Sequence, residues 1–257
     1  MDCRNTTDYL SMYITCQDYL CDSPHSTLRE AKGLSYLSHE FQIAPEMYLK
    51  TIYNLETKTG SAKTGDVARI LGITPGSVTN TLEVLESKGL VTRVPYKGVK
   101  LTSDGRKLAL NVFRRHRLAE RLLIEKLHFD WTEAHDEACK LEHVMSEELA
   151  SSIEKSLEDP STCPHGNPIP DSSGFIQPIK GQALSELRNG EIAIVTRIPD
   201  ENTELLRYLA GLGMLPGTKI EVEEKAPFSG PILVKVGSNS YPLSLDVASG
   251  IYVTRTN

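Results

Sequence analysis

No apolar run in the sequence approaches the ~20 residues needed to cross a bilayer, so a membrane-spanning helix is excluded. A basic start followed by an apolar core is also missing. The chain opens on Met1-Asp2-Cys3-Arg4-Asn5-Thr6-Thr7, so no secretory signal is expected and the protein is expected to be cytoplasmic. Cysteines are few, odd in number and irregularly placed, at Cys3, Cys16, Cys21, Cys139 and Cys163. None forms a CxxC pair, and a disulfide framework is not expected. No nucleophile motif, phosphate loop or other catalytic signature appears, which argues against an enzyme.

The 257 residues suffice for two domains and a small third. The net charge of −6 conceals an asymmetry. Residues 61–117 hold eleven basic and four acidic side chains, a net +7. Residues 118–160 hold twelve acidic and four basic ones, a net −8. A basic module followed by an acidic one suits a polyanion reader joined to a cation binder.

Residues 1–40 are polar with short apolar patches and are expected to form a mobile or partly helical extension of unknown role. From Pro45, suited to a first helical turn, apolar residues recur at three- and four-residue intervals. A short helix ending at Gly72 follows. Thr74 then reads as an N-cap with Pro75 at the first helical position, in a helix that Gly89 ends. Helix, short turn, helix is a helix-turn-helix pattern. Leu90–Val94 and Val99–Thr102, joined by Pro95-Tyr96-Lys97-Gly98, read as a wing hairpin. A long helix starts near Thr102, and a second is expected from beyond Thr132 to about Leu157. Residues 161–180, rich in Pro and Gly at their start, read as a linker. Beyond them, short alternating strands around one short helix suggest a small β-barrel. The domains are thus a winged helix over 41–110, metal-binding helices over 111–160 and a barrel over 181–257, an α+β architecture.

Ser77, Thr79 and Asn80 lie where a recognition helix reaches base edges, and Thr74 and Pro75 open that helix. Pro75 can touch a thymine methyl. Arg93, Lys97 and Lys100 on the wing are placed for phosphates. The other constellation is His135, Cys139, Glu142 and His143. At ~100° per residue they span roughly 100° of one helix face. His116 and Glu120, one turn apart on the preceding helix, can face that stripe. Two groups suggest themselves: Cys139, Glu142 and His143, with Met47 as a further donor, and His116, Glu120 and His135. Thioether, thiolate, imidazole and carboxylate suit ferrous iron or a later divalent ion, and suit magnesium or calcium poorly. His128 and His165 read as surface or turn residues.

Three runs, in order, now carry a resemblance. They are His116–Leu123, His135–Ser146 with its Cys139 and Glu142-His143, and Gly166-Asn167-Pro168-Ile169-Pro170. Over about residues 41–170 the chain closely resembles the diphtheria toxin repressor family of metal-dependent transcriptional regulators. The part containing Leu209–Gly217 and Gly230-Pro231 resembles that family's Src-homology-3-like domain in its FeoA-like form. The resemblance implies an iron-dependent repressor that binds palindromic operator DNA as a homodimer and controls iron uptake. It implies a primary metal site at Met47, Cys139, Glu142 and His143, and an ancillary site at His116, Glu120 and His135. In the family an acidic residue and a Gln from the third domain complete the ancillary site. Here residues 200–204 offer carboxylates but no Gln, with Glu201 and Glu204 as candidates. A family anion contact maps to Arg117 and Asn167, with Cys163 where the family has Ser. Manganese-selective relatives carry carboxylates at the Met47 and Cys139 positions, so sulfur there favours Fe(2+) over Mn(2+). Co(2+), Ni(2+) or Zn(2+) would substitute in vitro. The alternatives are a manganese-responsive regulator of the same family and a thiol-based redox regulator acting through Cys139.

Overall fold

The computed structural model describes residues 33–178, 181–199 and 203–256. They divide into two compact units, with the boundary between Val112 and Phe113. In the first, α1 (Gly33–Thr59), α2 (Thr64–Leu71) and α3 (Pro75–Ser87) precede β1 (Val91–Val94) and β2 (Gly98–Leu101). Helix α4 (Ser103–Glu125) begins here and continues into the second unit. The start of α1 corrects the expected boundary, because the helix begins at Gly33 and contains Pro45. Proline's fixed φ is helical, but inside a helix it removes one backbone donor and crowds the carbonyl four residues earlier, so α1 carries Pro45 at a cost. The expected extension over 1–32 lies outside the described residues.

Local chemistry sets the turn between α2 and α3. Gly72 caps α2 in the left-handed region at φ 64°, which glycine adopts without a Cβ penalty. Thr74 Oγ1 accepts from the Ser77 amide at 3.2 Å, and Pro75 occupies the first turn. Leu49, Ile52, Val67, Val78, Leu82 and Leu85 bury their side chains in one core beneath α1–α3. The wing strands pair antiparallel, Val91 opposite Leu101 through Val94 opposite Gly98. Ala62 adds a bridge to Val99. A Cβ on Gly98 would stand 2.0 Å from the Ala62 carbonyl oxygen, so only glycine fits. Glu56 of α1 accepts from the Leu101 amide at 3.0 Å and from Arg106 at 2.6 Å, tying the wing and α4 to α1.

The second unit opens with the rest of α4, then α5 (Ala134–Leu141) and α6 (Glu147–Ser156). One helix to Leu157 is the sequence expectation, and the structure breaks it in two. Ser146 accepts from the Leu149 amide at 3.2 Å and starts a new helix with Glu147 and Glu148 in its first turn, a local cap that outcompetes continuation. The buried Arg114 on α4 grips α6 through Glu147 and Glu154, each at 2.7 Å.

The C-terminal part is an antiparallel sheet of β3 (Gln182–Ala183), β4 (Ile192–Arg197), β5 (Lys219–Lys225), β6 (Ile232–Val236), β7 (Asn239–Leu243) and β8 (Tyr252–Arg255), in the order β3-β8-β4-β5-β6-β7. Helices α7 (Thr203–Gly211) and α8 (Leu245–Gly250) accompany it. The expected barrel is open: β3 and β7 are its edges, in a Src-homology-3-like arrangement. Pro242 falls on edge strand β7, where a missing backbone donor is tolerated. Leu206 and Leu209 of α7 bury against Val195, Ile220, Val222 and Val234 of the sheet. Among the described residues no helix is long and apolar enough to cross a membrane.

Candidate metal centre

Helices α4 and α5 bring four potential ligands together. His116 Nε2 lies 3.0 Å from Glu120 Oε1 and 3.2 Å from His135 Nδ1, which is itself 3.1 Å from the same carboxylate oxygen. These are the three residues grouped above as His116, Glu120 and His135. The other grouping is not separate from it. Cys139 Sγ lies 3.7 Å from His135 Nε2 and 4.0 Å from His116 Nδ1. Glu142 Oε2 lies 2.6 Å from His116 Nδ1, and Glu142 Oε1 lies 3.3 Å from His143 Nε2. His116 thus joins the two groups. Because α5 ends at Leu141, Glu142 is its C-cap and His143 sits in the following turn, not on a continuing helix. Met47 is partly buried on α1, in the N-terminal unit.

A further triad was not expected. His165, read from the sequence as a surface or turn residue, does lie in a turn but is fully buried. Its Nδ1 stands 3.2 Å from Glu120 Oε1 and 3.9 Å from Cys163 Sγ. Glu120, Cys163 and His165 form a second cluster of metal-ligand geometry beside His116, His135 and Cys139. His128 is exposed.

Electrostatics follow from this crowding. Burial opposes ionisation of Glu120, but the His116 charge and hydrogen bonds from His116, His135 and His165 hold its carboxyl well below the usual carboxylate range. Burial also opposes charging of His135, yet its hydrogen bonds to Cys139 and Glu120 push it up to about 9. Within this cluster, Glu120 Oε2 and His165 Nε2 are buried without a hydrogen-bond partner. Buried polar atoms are nearly always paired. Orphaned oxygen and nitrogen donors beside two sulfurs fit a divalent transition ion.

The other predicted contacts are placed as follows. Thr74, Pro75, Ser77, Asn80, Lys97 and Lys100 are exposed, and Thr79 is partly so. Arg93 is exposed on the wing and pairs with Glu86 at 2.9 Å and Glu83 at 3.2 Å on α3. Arg117 donates to the Pro168 carbonyl at 2.6 Å and stacks over Phe113. Asn167 is bonded to Arg197 and Ile198. Glu204 is exposed in the first turn of α7, and Glu201 lies outside the described residues.

Three domain models match in sequence: the iron dependent repressor N-terminal DNA binding domain over 41–99, its metal binding and dimerisation domain over 102–171, and the FeoA domain over 182–255. The iron-dependent repressor IdeR of Mycobacterium tuberculosis (strain H37Rv) is 35% identical over 82% of this chain and 96% of its own. The diphtheria toxin repressor of Corynebacterium efficiens is 32% identical over 82% and 95%. The chain belongs to the diphtheria toxin repressor family. Solved relatives agree with this repressor's fold. A manganese-dependent transcriptional repressor in complex with manganese superposes with a TM-score of 0.74 at 32% identity, over 82% of this chain and all of that one. ScaR with bound Cd2+ gives 0.76 at 30% identity, over 82% and 99%. The protein is therefore a metal-dependent, DNA-binding transcriptional repressor with a dimerisation domain, and its family is not one of enzymes. In the repressor the candidate ligands that the sequence reading passed over sit in the Cys163-Pro164-His165-Gly166 run. That spacing is a signal in hindsight, but it has no helical or strand period to draw the eye.

Proposed function

We propose that this repressor uses ferrous iron as its corepressor, acting in the cytoplasm on palindromic operators, with iron-uptake genes as targets. The observation that carries this is the buried cluster itself, in which Glu120 Oε2 is left without a partner among imidazole and sulfur donors. Sulfur from Cys139, and from the candidate donor Met47, favours iron over manganese. A bound divalent ion supplies a fixed double charge and performs no reaction. The chain does the rest. His116 links Glu120 to Glu142, so ligands on α4, α5 and the turn after it are held as one unit within the metal binding and dimerisation domain. Exposed side chains at the start of α3 read base edges, and Lys97 and Lys100 hold the backbone. A manganese-responsive regulator is the second reading. Two carboxylates inside the cluster favour it, as hard oxygen donors suit manganese.

Anaerobic gel shifts with ferrous iron, manganese or chelator separate these readings. Iron is expected to activate operator binding at lower free concentration than manganese. The reverse order selects manganese, and binding indifferent to chelator removes the metal switch altogether. Met47→Leu raises the iron concentration needed if the thioether is a donor.

A further inference from the structure

We infer that Tyr96, at the tip of the wing, packs its ring on deoxyribose at the minor-groove edge while α3 occupies the major groove. This deepens the DNA-binding reading above and rests on α3 being the helix that reads bases. Tyr96 is fully exposed and has φ 62°. A large ring held wholly in water adds no burial to the fold. A residue with a Cβ adopts the left-handed region only under strain. Two unfavourable choices at one position point to a task there. The tip is also stiff. Pro95 fixes the backbone on one side of the ring, and the Lys97 amide donates to the Val94 carbonyl at 3.0 Å across the turn. Ser61 Oγ donates to the Lys97 carbonyl at 2.9 Å. Ala62 and Val99 exchange two backbone hydrogen bonds, each of 2.9 Å, so a third chain segment braces the strand pair. A ring presented by such a support loses little freedom on meeting its partner.

The surroundings identify that partner. Lys63, Lys97 and Lys100 are exposed on and beside the wing, which suits a polyanion. A cleft lined by Thr64, Thr79, Arg93, Tyr96 and Gly98 lies between α3 and the wing. One sugar-phosphate strand separates the major groove of a duplex from the minor. With α3 in the major groove, that strand lies in the cleft and Tyr96 stands on its far side. There an uncharged ring meets sugars and base edges, while the lysines meet phosphates. An aromatic contact of this kind adds affinity without releasing a counterion.

The test uses the full chain saturated with cobalt(II) under anaerobic conditions, and a duplex that the wild-type repressor selects from random-sequence DNA. Tyr96→Asn removes the ring and keeps a residue that tolerates the left-handed region. It is expected to weaken binding about tenfold, with the salt slope and the urea midpoint unchanged. Tyr96→Phe should recover most of the loss. Radiolytic hydroxyl-radical footprints read the accessibility of each sugar. At saturation, Tyr96→Asn should expose sugars that the wild-type protein covers, while major-groove methylation protection stays. Wild-type affinity in Tyr96→Asn, or an unchanged sugar footprint, overturns the assignment. A lowered urea midpoint would make the ring structural and overturns it too. Asn80→Ala separates the premise: if it keeps wild-type affinity and major-groove protection, α3 does not read bases and the inference falls with that reading.

Discussion

At the scale of single residues, the cluster's chemistry turns on protons. His135, with its pKa pushed up to about 9, carries a proton at neutral pH in the metal-free protein. A ligating imidazole is neutral. If His135 ligates the cation, binding must expel that proton, and affinity should rise with pH from about 7 to about 9. Calorimetry in buffers of different ionisation enthalpy should show a net proton release at pH 7.5; a buffer-independent heat would remove His135 from the ligand set. Cys139→Ala should abolish metal-activated operator binding while leaving the far-ultraviolet spectrum intact. Retained activation in a gel shift would exclude the thiol. His116, Glu120, His135 and Cys139 were legible in the sequence because helices α4 and α5 space them at four-residue intervals. Cys163 and His165 were not, since a turn with proline and glycine imposes no repeating period. They come together with Glu120 only when the chain folds back and buries them beside it.

At the scale of elements, the two-helix reader shows how short signals suffice. Thr74, Pro75 and Gly72 fixed α3 and the turn before it because capping is a local competition for backbone groups. The break after α5 escaped notice because helix-forming residues continue through it, and Ser146 acts alone as the stop and restart. Arg114 makes α6 dependent on α4. Arg114→Ala removes two charge-assisted hydrogen bonds and leaves the part-exposed Glu147 and Glu154 to solvent, so it should cost about 1–2 kcal/mol in urea unfolding; a loss near zero would show the grip to be idle. On the wing, Arg93 and Lys100 should behave differently. Lys100→Ala should reduce the salt slope of operator binding by about 1. Arg93→Ala should weaken binding with little change in slope, since its charge is already matched by Glu83 and Glu86. Equal slopes in the two variants would put Arg93 on the phosphates. The last strands escaped the sequence reading too, as β7 and β8 are only five and four residues long and Pro242 disguises the first.

At the scale of the whole molecule, the acidic and basic halves noted in the sequence correspond to two jobs, cation binding and DNA binding, in one repressor. Linkage makes these jobs mutual. Operator duplex should tighten the apparent metal affinity by the same factor by which metal tightens operator binding, measured by titrating metal with and without duplex. Unequal factors would mean that a further equilibrium, such as dimerisation, takes part.

The early end of α5 has one more consequence. A helix concentrates partial negative charge at its C-terminus, where the last carbonyls lack internal partners. Ending at Leu141 puts that pole beside Cys139, Glu142 and His143. Had the helix run on to Leu157, the peptide dipoles there would have been spent inside it. A cation held by those residues would therefore feel the backbone's own field, a contribution that no side-chain substitution in the cluster would remove.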